Sequence, residues 1–165
     1  MIPKLVLATS EDAAELADLR NMVAEDLTTR HGQGPWSSAC TERGVLFDLR
    51  QSMVYLARDP GRVIATLRLA AKKPWAIDRS YFTPVERPLY LLSMAVHPAN
   101  QRQGIGRQCV AQALELARKW PAQSVCLDAY AAEGGAGDFY RKCGLREVGR
   151  TVYREVALVY FEALL

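Results

Sequence analysis

The sequence predicts a mixed α/β domain in which helices cover both faces of one sheet. Apolar runs of strand length alternate with runs of helical spacing, in the order β-α-α-β-β-β-α-β-α-β-β. One of the strand-like runs is almost continuously apolar, which is typical of a central strand. The chain has 165 residues, of which 50% are hydrophobic and 24% charged, as expected for a globular protein with one sizeable core. We therefore expect residues 1–165 to form a single domain.

The first third of the chain predicts a short strand and two helices. Thr9 and Asp12 have the spacing of a capping box, and leucines at helical spacing follow them. The glycines and proline of residues 31–36 end this helix. The next helix is weaker because Gly44 is unfavourable in a helix interior. The predicted elements are a strand at 4–8, a helix at 9–27 and a helix at 37–51.

The middle third predicts three strands and one long loop. Asp59-Pro60-Gly61 separates two β-rich runs and indicates a hairpin. Residues 72–88 contain three prolines and no clean period. A loop of this length is often functional, and its aromatic residues suit a pocket wall, but a surface segment that only packs those residues fits equally well. The predicted strands are 53–58, 62–70 and 89–96.

The last third predicts the strongest helix, followed by alternating strands and a short helix. Apolar residues share one stripe of the strongest helix, and Pro121 ends it. Gly144 suits the position just after the short helix, where a positive φ is common. The predicted elements are a helix at 105–119, a strand at 124–130, a helix at 135–144 and strands at 146–153 and 155–164.

Gly104 and Gly106 stand where the strongest helix begins, although a glycine inside a helix costs roughly 1 kcal/mol relative to alanine. A helix amino terminus offers free N–H groups and partial positive charge to a phosphate. Glycines there let the backbone approach a diphosphate closely. Arg102 and Arg107 add positive charge. The stretch therefore predicts a diphosphate cradle.

Two common diphosphate motifs do not fit this stretch. A P-loop needs lysine and then serine or threonine after its last glycine, but Arg107 and Gln108 follow Gly106. A dinucleotide fingerprint needs glycine or alanine where Cys109 stands, and its glycine turn directly follows the strand. Here residues 97–103 intervene.

The segment from Gln101 to Gly106 instead matches the Q/R-x-x-G-x-G/A motif of the GCN5-related N-acetyltransferases (GNAT). The chain also resembles this family at Met94-Ala95-Val96-His97-Pro98 and over residues 138–150, and the order of elements agrees. The resemblance implies a single GNAT-like domain with a mixed, largely antiparallel sheet and helices on both faces.

The resemblance also implies a site for acetyl-CoA. The strand before the motif would splay from its neighbour at a bulge, so that the pantetheine arm adds to its edge like a further strand. A strand N–H there would polarise the thioester carbonyl. The edge residues would be Met94, Ala95 and Val96. The backbone that binds the diphosphate would be that of Gln101, Arg102, Gln103, Gly104, Ile105, Gly106 and Arg107.

The resemblance assigns Tyr140 as the general acid that protonates the leaving thiolate. Glu133 stands where the family often has an asparagine that contacts the cofactor, so it either turns toward the acceptor amine or faces solvent. Many family members carry the general base on the central strand, but residues 89–96 contain no acid. The candidates are Asp128, Glu133, Glu86 or a chain of waters. Asp128 lies in an apolar strand, where an acid has either an ion-pair partner or a role.

The implied activity is acetyl-CoA-dependent N-acetylation of a primary amine on a small molecule or peptide, by direct attack and without a metal. The four cysteines form no CxxC pair, and an acyl-cysteine intermediate is less favoured. The alternative function is a non-catalytic acyl-CoA-binding sensor. An acceptor framed by the first two helices and the 72–88 loop would meet aromatic walls and a carboxylate, which suit a cationic amine. The residues offered there are His31, Trp36, Trp75, Asp78, Tyr81 and Phe82.

Charge and hydropathy predict few other partners. A net charge of +3 is weak support for nucleic-acid binding. The amino terminus has too short an apolar run for a signal peptide, and no stretch has the roughly 20 apolar residues of a membrane span. We therefore expect a cytoplasmic protein that binds neither nucleic acid nor membrane; a homodimer is left open.

Overall fold

The computed structural model describes residues 3–165, whose strands form one seven-stranded sheet. The strands are β1 (Val6–Leu7), β2 (Met53–Arg58), β3 (Val63–Ala70), β4 (Pro88–Val96), β5 (Ser124–Tyr130), β6 (Arg146–Tyr153) and β7 (Val156–Leu164). Their order across the sheet is β1-β2-β3-β4-β5-β7-β6. Only the β4–β5 pair is parallel. The predicted mixed, largely antiparallel sheet is confirmed, and β4 is its central strand.

Helices cover both faces of this sheet, as predicted. The helices are α1 (Ala13–His31), α2 (Glu42–Gln51), α3 (Ile105–Lys119) and α4 (Gly137–Lys142). Leu16 of α1 and Val45 of α2 pack on Val54 of β2. Val110 of α3 packs in a separate cluster with Leu127 of β5. Because strand side chains alternate between faces, α1 and α2 lie on one face of the sheet and α3 and α4 on the other.

The long loop between β3 and β4 covers the part of the α1–α2 face that those helices leave open. Ile77 and Phe82 pack there on Tyr90, Cys126 and Tyr160 in a third buried cluster. The loop thus covers the sheet through Ile77 and Phe82, whereas Trp75, which the second alternative would also pack, is 83% exposed.

The predicted boundaries differ from the structure mainly at the first two helices. α1 spans Ala13–His31 after a 3-10 turn at Ser10–Asp12, instead of 9–27. A 3-10 turn covers Pro35–Ser37, residues 38–41 are not helical, and α2 begins at Glu42 instead of residue 37. Thr41 sets this start because its side chain accepts a hydrogen bond from the Gly44 N–H at 3.0 Å. The predicted hairpin turn and the C′ glycine are confirmed by Gly61 at φ 80° and Gly144 at φ 91°.

The loop between β5 and α4 gives a test of packing at the edge of the site. An ideal Cβ on Gly135 would lie 1.8 Å from the Tyr130 carbonyl oxygen, whereas one on Gly137 meets no atom closer than 3.6 Å. We expect Gly135→Ala to lower the free energy of unfolding by about 1–3 kcal/mol, because the backbone must move. Gly137→Ala, the matched control, should leave stability unchanged or slightly higher. Urea unfolding measures both, and equal stabilities would contradict this packing.

Candidate active site

A gap opens in the middle of the sheet between β4 and β5. The two strands pair only from Pro88 opposite Ser124 to Tyr90 opposite Cys126. Past that point the β4 edge facing β5 has no strand partner, although β4 continues to Val96. The structure therefore shows the splayed central strand that the resemblance implied.

A bulge on the other edge of β4 accompanies this gap. The register with β3 shifts between Arg68 opposite Leu92 and Thr66 opposite Ala95, so β4 has one extra residue there. Ser93 lies in this bulge with φ 53°, which is uncommon for a residue other than glycine. Arg68 Nε donates a hydrogen bond to Ser93 Oγ at 3.0 Å and holds the bulge.

The glycine-rich loop lies between the end of β4 and the start of α3. Gly104 is the N-cap of α3 with φ 82°, and an ideal Cβ there would meet no atom within 4 Å. The first helical N–H with a partner is that of Gln108, which donates to the Gly104 carbonyl at 3.1 Å. The preceding amides of the first turn have no intrahelical acceptor. The loop thus presents free N–H groups toward open space, an arrangement that suits an anion.

Gly106 has a different role from Gly104. An ideal Cβ on Gly106 would lie 3.0 Å from the ring of Phe139 and 3.5 Å from Val96. The missing side chain therefore lets α4 approach both the start of α3 and the end of β4. This contact brings the helix that carries Tyr140 to the glycine-rich loop.

Side-chain hydrogen bonds hold the loop in place. Gln101 Nε2 donates to the Val96 carbonyl at 3.0 Å, and Arg62 Nη2 donates to Asn100 Oδ1 at 3.0 Å. His97 Nδ1 accepts from the Ala99 N–H at 3.1 Å. Burial, followed by the positive charge of Arg62, lowers the pKa of His97. His97 is therefore a neutral acceptor that shapes the turn.

Tyr140 is buried in α4 against two other aromatic rings. Its ring centroid lies 5.1 Å from that of Phe139 and 6.0 Å from that of Phe161. Burial raises the pKa of the Tyr140 hydroxyl far above its ordinary value, and the charges of Cys143 and Asp128 act in the same direction. The hydroxyl consequently keeps its proton at neutral pH.

Asp128 lies on β5 just past the point where β4 and β5 separate, opposite Tyr160 of β7. Burial raises the pKa of its carboxyl, and a hydrogen bond with its own backbone opposes this shift only in part. Within residues 3–165, no basic nitrogen lies within 4.0 Å of the carboxylate. The ion-pair explanation of this acid is therefore not found in the described part of the chain.

The other two candidate bases are both exposed to solvent, and one of them lies at the far end of β4. Glu133 is exposed in the loop between β5 and α4 and has no ion-pair partner among the described residues. Glu86 precedes β4 at the end where the strands still pair, and its side chain is 88% exposed beside Arg87. Since the glycine-rich loop follows the opposite end of β4, Glu86 lies at the wrong end of the strand.

A cavity of about 570 Å³ adjoins the bulge on the α1–α2 face. Its lining comes from both helices, the segment that joins them, β4 and β5, and it includes Arg20, Ala24, Trp36, Phe47, Asp48, Ser93, Met94 and Tyr130. The Trp36 ring stacks edge-on against His31 and Tyr130, with centroids 6.2 Å and 6.0 Å away. Trp36 thus closes one end of the cavity.

Only part of the predicted acceptor pocket is found in this cavity. Trp36 lines it, and His31 supports Trp36. The four residues offered by the 72–88 loop do not line it: Trp75 is 83% exposed, Phe82 and Tyr81 pack against Tyr160, and Asp78 caps a 3-10 turn. The loop was a misleading signal because Tyr81 and Phe82 pack on the sheet beside β7 and Trp75 faces solvent.

A charged cluster that the sequence analysis missed lies between the cavity and the bulge. Arg20 Nη1 and Asp48 Oδ2 are 2.8 Å apart, and Asp48 Oδ2 lies 3.7 Å from Arg68 Nε. Burial lowers the pKa of Arg68. The negative charge of Asp48 opposes this shift in part, and the positive charge of Arg20 adds to it. One signal was available: Arg20 interrupts the apolar stripe of α1, where a charge needs a partner.

Two features are absent from residues 3–165. No helix there is long and apolar enough to span a membrane. The same residues bring together no group of three His, Cys, Asp or Glu side chains that could hold a metal ion.

The splayed central strand, the glycine-opened helix and the adjoining cavity define the fold class of the acetyltransferases. A family model described as "Acetyltransferase (GNAT) family" matches residues 16–145. The chain therefore belongs to the GNAT acetyltransferase family. None of the curated proteins compared with the sequence matches it.

Solved structures share this fold at low sequence identity. A GCN5-related N-acetyltransferase from Rhodopseudomonas palustris is 19% identical with a TM-score of 0.74, and the match covers 100% of this chain and 97% of the other. A ribosomal-protein-alanine N-acetyltransferase from Brucella melitensis is 20% identical (TM-score 0.71, coverages 98% and 99%). YncA from Salmonella typhimurium, solved with its cofactor acetyl-CoA, is 14% identical (TM-score 0.70, coverages 99% and 94%).

Proposed function

We propose that this chain, as a single domain, transfers the acetyl group of acetyl-CoA to a primary amine of a small molecule or peptide by direct attack. The observation that carries the proposal is the gap between β4 and β5, which opens beside the glycine-rich start of α3. Membership of the GNAT family supports it, as does the acetyl-CoA bound by the Salmonella typhimurium protein of the same fold.

The backbone of residues 101–107 fits the diphosphate of coenzyme A. Gly104 supplies the positive φ and an open approach, and the first-turn amides of α3 supply donors. Arg102 and Arg107 are exposed on either side and add positive charge. The dipole of α3 and the two arginines favour a negatively charged group such as a diphosphate.

The free edge of β4 from Met94 to Val96 fits an extended, amide-containing chain such as the pantetheine arm. Backbone groups without a strand partner need one, and β-augmentation supplies it. Acetyl-CoA, when bound, supplies the acetyl group as a thioester. A β4 N–H beside the bulge would polarise the thioester carbonyl.

Tyr140 serves as the general acid in this proposal. Its raised pKa keeps the hydroxyl protonated, so that it can donate a hydrogen bond to the sulfur as the carbon–sulfur bond breaks. The ordinary pKa of a thiol, near 8.5, lies below that of Tyr140, so complete transfer of the proton to the thiolate is uphill and requires that solvent reprotonate the tyrosine.

Asp128 serves as the general base, directly or through a water molecule. Burial raises the pKa of its carboxyl toward the operating pH, which improves proton transfer from the acceptor ammonium. Glu133 stays an alternative because its loop adjoins the site, and Glu86 is dropped because of its position at the far end of β4.

The first prediction tests the diphosphate cradle. Gly104→Asp places a carboxylate where the diphosphate would lie, so we expect acetyl-CoA affinity to fall at least about tenfold, or ~1.4 kcal/mol. Gly61→Asp is the matched control: Gly61 has φ 80° against 82° for Gly104, and both lie in open space. Isothermal titration calorimetry measures the acetyl-CoA affinity of both folded variants, and equal affinities would contradict the proposed diphosphate cradle.

A second prediction concerns the acid. Tyr140→Phe keeps the packing against Phe139 and Phe161 but removes the proton donor. We expect kcat to fall roughly 10²-fold with little change in acetyl-CoA affinity. Tyr153→Phe, on β6, controls for loss of a tyrosine hydroxyl. Thiol release with an accepted amine measures turnover, and nearly full activity of Tyr140→Phe would leave this tyrosine a packing role only.

The third prediction concerns the base. Asp128→Asn cannot accept a proton, so turnover should fall at neutral pH and recover partly as pH rises and more acceptor amine is free. Glu133→Gln, measured in parallel, should keep the wild-type pH–rate profile. The reverse result would transfer the role to Glu133, and two unaltered profiles would leave water as the proton acceptor.

The stability of the same variant separates a role in catalysis from a structural one. Since burial raises the pKa of Asp128, the folded state binds its proton more tightly than the unfolded state. The stabilisation that this proton gives to the folded state is complete below 3.8, the pKa of the carboxyl in the unfolded state. It is lost as the pH rises through the higher pKa of the folded state. Asp128→Asn should therefore be at least as stable as wild type at pH 7, with the difference vanishing near pH 4. A large loss of stability at pH 7 would indicate a structural acid.

A further inference from the structure

The guanidinium group of Arg20 lies in the cavity wall with part of its hydrogen-bonding capacity unused. Nη1 donates to Asp48 Oδ2 at 2.8 Å and to Cys40 Sγ at 3.8 Å. Nε and Nη2 are buried and have no hydrogen-bond partner within residues 3–165. These two nitrogens lie along one edge of the planar group, and such an edge binds both oxygens of a carboxylate.

Unpartnered buried donors are rare because each loses its hydrogen bonds with water and gains nothing in return. An anionic ligand at the free edge of Arg20 would remove this cost. The side chain is 12% exposed and belongs to the cavity lining. The buried edge reaches the cavity only if the guanidinium turns, and Nη1 then gives up its present contacts with Asp48 and Cys40 in exchange for the ligand.

The charge balance of the wall also favours an anion. Two guanidinium groups, those of Arg20 and Arg68, share the single carboxylate of Asp48. Among the described residues that line the cavity, the charged ones are Arg20 and Asp48. Arg68 lies behind Asp48 and gives the cluster of three an excess of one positive charge beside the cavity, whereas the sequence analysis expected a carboxylate that would attract a cationic amine.

Side-chain contacts connect this charge to the gap. Contacts lead from Arg20 through Asp48 and Arg68 to Ser93 in the bulge of β4. The bulge adjoins Met94 and Ala95, which line both the cavity and the gap where the amine would attack. An anionic group at Arg20 and an amine at the gap would therefore border the same cavity, and one molecule that fills it would present both.

We propose that the acceptor is an α-amino acid whose free carboxylate is bound by Arg20 Nε and Nη2 while its amine faces the gap. This inference rests on the proposed function and names the substrate class of the same site. A peptide amino terminus does not fit, because its first carboxyl group is an uncharged amide. The rest of the lining has no charged residue and is apolar at Val23, Leu27, Phe47 and Trp36, which suits an uncharged side chain.

The test compares acceptors that differ only in the carboxyl group. Wild-type protein is incubated with acetyl-CoA and each common L-amino acid, and separately with the corresponding carboxamide. Thiol release gives kcat/KM for each member of a pair. We expect the accepted amino acid to exceed its carboxamide at least about tenfold, since charged hydrogen bonds to a buried guanidinium are lost in the amide. Equal rates, or a preference for the carboxamide or for a peptide, overturn the inference.

Variants locate the preference in the cavity wall. Arg20→Gln should abolish the discrimination between acid and amide while leaving acetyl-CoA affinity unchanged. Arg30→Gln makes the same charge change on the exposed face of α1, where Arg30 pairs with Asp26, and should keep the discrimination. Asp48→Asn removes the ion-pair partner of Arg20 but keeps the guanidinium, so it should also keep the discrimination. It shows whether loss of the Arg20–Asp48 ion pair alone disturbs the fold, which Arg20→Gln would share. Discrimination that survives in folded Arg20→Gln contradicts the assignment.

A binding measurement separates this inference from the proposed function. N-acetyl-L-leucine and N-acetyl-L-leucinamide are titrated into the protein in the presence of coenzyme A, without turnover. Tighter binding of the acid by wild type, lost in Arg20→Gln, supports the inference even if no amine is acetylated, a result that would overturn only the proposed function. Acetylation of amines with no acid preference in either assay overturns the inference and leaves the function intact.

Discussion

The structure depends on the separation of two adjacent parallel strands. β4 and β5 pair at three positions and then diverge, which leaves the backbone of one β4 edge without a strand partner in the centre of the sheet. Such groups need hydrogen bonds from elsewhere. The other parts of the candidate site surround this gap: the start of α3 at its mouth, α4 beside it and the cavity under α1 and α2. In the proposed reaction, the cofactor completes the sheet.

The bulge and the cavity wall are parts of one polar cluster. Ser93 keeps its unusual backbone conformation beside Arg68, and Arg68 is positioned between Ser93 and Asp48. Asp48 in turn pairs with Arg20 of α1. The two helices that enclose the cavity are thereby tied to the residue that bends β4. A ligand that alters the charge balance at Arg20 would act on the same group of side chains that supports the bulge.

Local patterns in the sequence were sufficient for the elements and the glycine-rich loop, but not for contacts between distant segments. Gly144 has the positive φ that its position after α4 predicted, and Gly61 and Gly104 have positive φ in the predicted hairpin turn and glycine-rich loop. Arg20, Asp48, Arg68 and Ser93 are far apart in the chain, so no spacing rule joins them. The 72–88 loop misled because its aromatic residues have no period that separates a pocket wall from a packed cover. Glu86 was excludable from sequence: it precedes β4, while the glycine-rich loop follows it.

The two residues proposed for proton transfer lie on opposite faces of the sheet. Tyr140 packs with Leu127 on the α3–α4 face, whereas Asp128 shares the other face with Cys126 and Tyr160. In an intact sheet the backbone would separate an acid and a base placed in this way. The gap between β4 and β5 is the place where both faces open to the same space. The acceptor would therefore enter from the α1–α2 face and lose its proton there, while the thiolate would receive its proton from the α3–α4 face.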